Sequence, residues 1–428
     1  MLIFTKGNSK LMFCIGIIML MLVVRDIVGI EIFDKLVVVV TIISMLCLNY
    51  EKLVYLVFFM FPLMCGVPGY LMTFAYIILV FKGPKLRSQH IVPLVIVALL
   101  EVINESFRNV DGLYVGILSF LSFTAIFFYF LDELNRKYSV KKCLIYYGVG
   151  AAFTLIVIYS NMLIEYGLNS ILSGMLRNGA LGVVDNDVTK MQGHLAMNAN
   201  TIAYLSISVI TIFSVLLIQT TTNRKTKWFY GCIIGVCLFS GLLSFSRTFV
   251  SVLALFIASL ILTAKWKQKF KIINYLALLC AVIVYFYSDI LLNMYDTFLG
   301  RIEDSNMATA GGRTVLFQLY NKAWLGNVSY IIFGAGVVSY WGTLKVYNAI
   351  HNGLQQIWVC LGIIGFLTYI LRVSFYLYRC KGKKILFYLP FFMTLLIDQS
   401  IQFLAPYPLV LILLATLQMP QMINDDKR

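Results

Sequence analysis

Residues 310–365 read AGGRTVLFQLYNKAWLGNVSYIIFGAGVVSYWGTLKVYNAIHNGLQQIWVCLGIIG. The stretch opens with Gly311-Gly312-Arg313 and a short amphipathic run, Thr314 to Trp324. A Gly-rich segment follows, Phe333-Gly334-Ala335-Gly336. It closes with Ala349-Ile350-His351-Asn352-Gly353, which leads directly into a long apolar run from Leu354. Gly, Arg, His and Asn are thus gathered between two hydrophobic segments. The pattern predicts the chemical part of a membrane protein, with the remainder of the chain as the scaffold that holds it at one face of a bilayer.

Composition supports that division. Of 428 residues, 61% are hydrophobic and 12% charged, against about 25% charged in an ordinary soluble domain. A soluble fold could not cover so much apolar surface, so one polytopic, all-α membrane domain over 1–428 is expected. The net charge of +15 would suggest nucleic acid in a soluble protein. Here the basic residues sit in short loops between apolar runs, where they encode topology, and no nucleic-acid partner is expected. The nine Cys show no CxxC pair and no metal-ligand spacing, so neither disulfides, a metal site nor a cofactor is expected. No G-x-x-x-x-G-K-[ST] motif is present. Lys6, Lys10 and Leu11 to Val24 resemble a signal peptide, but Arg25-Asp26 follows without a small-residue cleavage site. A retained first span is expected.

A spanning helix needs about 20 apolar residues, fewer when paired. Fourteen spans are predicted, near 11–24, 36–49, 53–66, 68–81, 90–107, 112–131, 142–160, 199–219, 228–246, 248–264, 272–291, 353–378, 385–399 and 403–419. The third and fourth meet at Gly66-Val67-Pro68-Gly69, read either as a tight outer turn or as the break in a re-entrant segment. Two outer loops are long, about 161–198 and 292–352. With the N-terminus inside, the inner loops and termini hold 23 Lys and Arg, the outer loops hold 10, and Arg372 falls within a span. The alternation never breaks. It places both termini in the cytoplasm and the 310–352 region on the outer side of the membrane.

Candidate residues follow from depth and chemistry. Arg247, in Ser244-Phe245-Ser246-Arg247-Thr248, lies between two spans with almost no turn around it. A cation at that depth usually faces a partner or polar cavity, and Arg suits bidentate phosphate binding. It is equally readable as a hairpin tip whose side chain snorkels to headgroups. Arg313 follows Gly311-Gly312 at a predicted helix start, with Leu316, Leu319, Tyr320 and Ala323 at helical spacing. Free N–H groups and a cation there make an anion site, although most such triplets are plain turns. His351 is one of three His, at the entry to a span, and titrates near neutrality. Asn352 is a plausible N-cap beside it. General base and idle interfacial ring both fit His351. Asp185-Asn186-Asp187 reads better as a solvated loop than as a metal–nucleotide site. Asp398, Gln399 and Gln402 fit sugar binding or polar packing equally.

Taken in order, the pieces carry a resemblance. Gly193-His194-Leu195-Ala196-Met197-Asn198-Ala199-Asn200 precedes one span, and Ser246-Arg247-Thr248 joins two others. Gly312-Arg313 opens the late loop, followed by Gly334-Ala335-Gly336, His351-Asn352, Leu354, Gly362 and Gly365. This resembles the O-antigen ligase and polymerase superfamily, and within it the Wzy-type polysaccharide polymerases, over roughly 193–365. The resemblance implies a GT-C-like glycosyltransferase architecture with its site on the outer face. It implies an undecaprenyl-diphosphate-linked oligosaccharide as donor and acceptor and no required metal. Surface polysaccharide such as O-antigen, capsule or exopolysaccharide would be the product, with a flippase and a chain-length regulator as partners. By motif position Arg247 and Arg313 would hold the diphosphate and His351 would be the general base. Asn352, Asn200, Ser246 and Gly312 would support them. The Asn-Pro-Asn usual in relatives reads Asn198-Ala199-Asn200 here. Ligase-type transfer to a lipid or protein acceptor is the nearer rival reading, and a lipid-glycan flippase or transporter the farther one. A transporter should show repeat symmetry and ionisable groups near the midplane.

The topology is testable by thiol labelling. In a chain with its nine native Cys replaced by Ser, a membrane-impermeant reagent on intact cells should label Asp187→Cys and Ser305→Cys and miss Thr226→Cys. Labelling of Thr226→Cys would overturn the map.

Overall fold

The computed structural model describes residues 8–105, 113–131, 137–173, 181, 194–219, 223–263, 313–337, 340–346, 350 and 352–378, with isolated positions at 269, 274, 292 and 295–296. The expected spans at 272–291, 385–399 and 403–419 lie outside the described residues. The described chain is almost wholly helical. Its elements are α1 (Ser9–Asp26), α2 (Asp34–Cys47), α3 (Tyr50–Met60), α4 (Leu71–Lys82), α5 (Ser88–Glu105), α6 (Leu113–Phe130) and α7 (Val140–Leu172). They continue with α8 (Ala199–Gln219), α9 (Arg224–Leu243), α10 (Arg247–Thr263), α11 (Arg313–Leu325), α12 (Val328–Phe333), α13 (Tyr340–Leu344) and α14 (Gly353–Tyr378). Among the described residues, one antiparallel bridge joins Leu181 to Met197.

Among the described residues, four helices are long and apolar enough to cross a bilayer by themselves: Val140–Leu172, Ala199–Leu217, Arg224–Leu243 and Gly353–Arg372. Others, including Leu71–Lys82, His90–Asn104, Gly116–Phe130 and Arg247–Leu262, are shorter apolar helices. This fits an all-α, multi-pass membrane protein. The apolar character is distributed as lipid solvation requires. Phe13, Leu20, Leu36, Val39 and Ile43 are exposed on α1 and α2, while every residue from Leu53 to Met60 on α3 is buried. α3 packs between neighbours and can be hydrophobic all round.

Contacts between helix ends fall into two groups in the alternating order that up-and-down spans need. At one end, the Lys82 ammonium of α4 donates to the Leu48 carbonyl at 2.6 Å, closing the end of α2. Asn49 caps α3 by accepting from the Lys52 N–H at 3.1 Å. The Tyr50 and Tyr129 hydroxyls pair at 2.8 Å, Tyr76 meets His90 at 2.8 Å, and the Ser139 N–H donates to the Tyr55 hydroxyl at 3.1 Å. These contacts gather the loops that the charge rule assigns to the basic, inner side. At the opposite end lie Arg25, Asp34, Gly66 and the entry to α8.

The Gly66–Gly69 junction is a tight turn. A 3-10 segment, Phe61–Cys65, runs into it, and the Leu71 N–H donates to the Pro68 carbonyl at 3.0 Å. Two expectations need correction. The span predicted at 142–160 continues as helix to Leu172, kinked at Gly167 (φ 74°). Val140 to Tyr166 alone measures about 40 Å at 1.5 Å per residue. That exceeds a hydrocarbon core of about 30 Å, so the start of the loop expected at 161–198 is helical. The span 353–378 is not continuous either. Gly362, at φ 64° and ψ −171°, interrupts α14.

That interruption is filled by the Gly-rich segment. With the i→i+4 ladder broken at Gly362, the carbonyls of Val359 and Cys360 need other donors. The N–H groups of Ala335 and Gly336 supply them, at 2.8 and 2.9 Å. The approach is backbone on backbone. A Cβ on Gly334 (φ +85°) would stand 2.1 Å from the Cys360 oxygen, and one on Gly362 2.3 Å from the Ile332 oxygen. Gly334→Ala should therefore destabilise the purified protein by at least about 2 kcal/mol through combined strain and overlap. Gly231→Ala, whose Cβ would meet nothing within 4 Å, should be close to neutral. The check is thermal unfolding in detergent; equal midpoints for the two variants would contradict the docking.

Candidate active site

The α9–α10 connection is only three residues long, and all three are buried: Ser244 0%, Phe245 3% and Ser246 1% exposed. Its geometry follows from short polar side chains satisfying the helix ends. Ser244 Oγ donates to the Gly241 carbonyl at 2.6 Å and accepts from the Ser246 N–H at 3.3 Å. Phe245 takes a left-handed backbone, φ 49°. The two helices then meet closely, since a Cβ on Gly241 would lie 2.2 Å from the Phe249 ring. Arg247 is the first residue of α10 and is half-buried. The N–H groups of a first helical turn lack intrahelical partners and favour negative charge.

Ser246 is tied to α8. Its hydroxyl donates to Asn200 Oδ1 at 3.0 Å. Asn198 caps the same helix, accepting from the Thr201 N–H at 2.7 Å and hydroxyl at 2.9 Å. Ala199 then occupies the first helical position, where Pro is also well accommodated. The departure from Asn-Pro-Asn therefore leaves the local fold intact, and Asn200 is a tether of the Arg247 turn.

The segment entering α8 is anchored to α1. The Leu195 N–H donates to Asp26 Oδ2 at 3.1 Å, and His194 Nδ1 lies 3.1 Å from Asp26 Oδ1. Asp26 is paired with Arg25, whose Nε stands 2.6 Å from Oδ1. Arg25 also donates to Asp34 at 2.8 Å and to the Gly66 carbonyl at 3.0 Å. The sequence reading counted Arg25 as an outer-loop charge. It is instead 4% exposed, inside α1. Two carboxylates and a carbonyl satisfy its donors, which is the condition for burying a guanidinium.

A second group forms at the start of α14. Asn352 is the N-cap, accepting from the Gln355 N–H at 3.0 Å. Gln355, 1% exposed, donates from Nε2 to the Phe317 carbonyl at 2.8 Å and to Asn321 Oδ1 at 3.1 Å. The first turn of α14 is thereby stitched to α11, the helix that Arg313 opens. Tyr320 of α11 is fully buried and donates to the Val346 carbonyl at 3.0 Å. The predicted helix start at Arg313 is present; its side chain is not among those described. Gly311, Gly312, His351, Asp185 to Asp187, Asp398, Gln399 and Gln402 lie outside the described residues.

The structure thus joins Asn200 with Ser246 beside Arg247, and Asn352 with the helix of Arg313. The sequence reading missed three elements: the Arg25–Asp26 anchor, buried Glu101 on α5, and the Gly362 break. Gln355-Gln356 at the head of an apolar run was a usable signal, because two buried amides demand polar neighbours.

No curated protein matches the chain. Residues 233–370 match the family model described as O-antigen ligase. The matched stretch takes in Arg247, Arg313, His351 and Asn352, and leaves out Asn200. The match makes residues 233–370 similar to the O-antigen ligase family and supports, for that stretch, the O-antigen ligase and polymerase superfamily.

Proposed function

We propose that the protein is a polymerase of surface-polysaccharide repeat units, working on the outer face of a bacterial inner membrane. The observation that carries the reading is the O-antigen ligase match over the stretch that holds both candidate arginines and His351. The growing glycan would move from undecaprenyl diphosphate to a sugar hydroxyl of the next lipid-linked unit. No nucleotide sugars are available outside the membrane, so a donor there must arrive lipid-linked and already activated.

The chemistry asked of the residues is modest. The acceptor hydroxyl oxygen attacks the donor's anomeric carbon as the bond from that carbon to the diphosphate oxygen breaks. The diphosphate leaves with the electron pair. Arg247 and Arg313 stabilise its developing charge through planar, bidentate contacts. The first-turn N–H groups of α10 add a favourable field. His351 takes the proton from the attacking hydroxyl. Asn200 and Ser246 hold the Arg247 turn, Asn352 holds the corner at His351, and Gly312 frees the backbone before Arg313. The fold would be a GT-C-like arrangement with no metal in the reaction, and a flippase and chain-length regulator would act beside it. Transfer to a different lipid or protein acceptor is the second reading, favoured by the ligase description of the matched family.

Two experiments test this. Deleting the gene should leave surface glycan at single repeat units; chains of normal length made but not attached to their anchor would favour the ligase. In elongation assays with purified lipid-linked units, Arg247→Lys and Arg313→Lys should each lose most activity while inserting normally, because a point-charge ammonium reproduces a bidentate contact poorly. His351→Ala and His351→Gln should both slow chain growth by about 10²–10⁴-fold, the usual value of general-base help. Near-normal ladders from His351→Gln would remove it from the reaction. A fully active Lys variant would reduce that arginine to a marker of topology.

A further inference from the structure

The first half of the chain has so far served only as scaffold, but α5 reaches into the late loop with two side chains. Glu101 and Asn104 are one helical turn apart and share a face. Asn104 Nδ2 donates to the Phe333 carbonyl at 2.7 Å. The Val337 N–H donates to both carboxylate oxygens of Glu101, at 3.0 and 2.9 Å. The pair therefore grips both ends of the Phe333–Val337 segment. Between these ends, Ala335 and Gly336 donate to the α14 carbonyls freed at Gly362. Apart from the Gly334 N–H, which closes α12 on the Tyr330 carbonyl at 2.9 Å, the hydrogen bonds named here tie that segment to one face of α5 and to the break in α14.

Glu101 is 0% exposed on a helix whose sequence is apolar. A buried carboxylate in such a helix is costly and is usually retained for function. As an acceptor it is stronger than a neutral amide. Both residues lie outside the matched 233–370 region. The segment they hold precedes α13 and Ile350, which is fully buried, and it docks against α14, the helix that Asn352 caps.

We propose that Glu101, assisted by Asn104, is a positioning residue for glycan transfer. It locks Phe333–Val337 into the α14 break, so that the start of α14 at Asn352 keeps a single placement relative to the donor. The proposal rests on the polymerase reading for its effect on rate, but the clamp itself is measurable without it.

The test uses the full-length protein in lipid nanodiscs, with Glu101→Ala, Asn104→Ala and the conservative Glu101→Gln. Amide hydrogen exchange over 333–337 reads the clamp, and elongation kinetics read its consequence. In Glu101→Ala, exchange at 335–337 should rise about tenfold or more, as expected for one lost buried hydrogen bond, with exchange elsewhere unchanged. The kcat for elongation should fall about tenfold while the KM for the lipid-linked donor stays within about twofold. Asn104→Ala should show a smaller change of the same kind. Glu101→Gln keeps a carbonyl acceptor and should restore both protection and kcat. Unchanged exchange in Glu101→Ala would remove the clamp. Faster exchange with full elongation would remove its role in the reaction. Faster exchange along the whole chain, with activity lost in parallel, would make Glu101 a general stability residue and overturn the proposal. A wild type that elongates nothing, with the Ala and Gln variants still differing in exchange, would leave the clamp standing and refute the polymerase reading instead.

Discussion

Inside a bilayer every backbone polar group needs a partner from the protein, because the hydrocarbon offers none. The break of α14 at Gly362 is tolerable only because that demand is met from elsewhere in the chain. Gly334, Ala335 and Gly336 bring their backbone against the exposed carbonyls of Val359 and Cys360. A side chain on either facing glycine would keep them apart. This one docking fixes where the late loop re-enters the helical body. The placement of α12 against α14 follows from it.

The same end of the molecule disposes of its charges in two different ways. Arg25 is buried, and its donors are taken by Asp26, Asp34 and a backbone carbonyl. It is a fastener, and through Asp26 it holds the His194–Leu195 entry to α8. Arg247 is a half-buried cation at the first position of a helix. Around it the small polar residues Asn200, Ser244 and Ser246 bind one another and the backbone. They define the shape of the turn.

Much of this was legible in the sequence, and the reasons are physical. Apolar runs gave the starts of α8, α10 and α14 to within one residue, because a change from polar to apolar sequence marks where a helix enters the bilayer. Short polar residues flanking apolar runs gave the Asn352 cap and the helix start at Arg313. What escaped is non-local. Nothing adjacent to Glu101 shows that it meets Val337, and nothing adjacent to Arg25 shows that Asp34 and Gly66 satisfy it. Gly362 was marked as part of a motif, but a lone glycine in an apolar run does not declare a break. Only its partners at Gly334 to Gly336 do.

The proposed reaction forms a bond to a glycan and releases a diphosphate lipid. The most direct measurement is on purified protein reconstituted with lipid-linked repeat units alone, following glycan size and released undecaprenyl diphosphate together. The account predicts a ladder of lengthening chains, with one diphosphate lipid released for each unit added. Units that change leaflet without any new linkage, or elongation with no diphosphate lipid released, would contradict it.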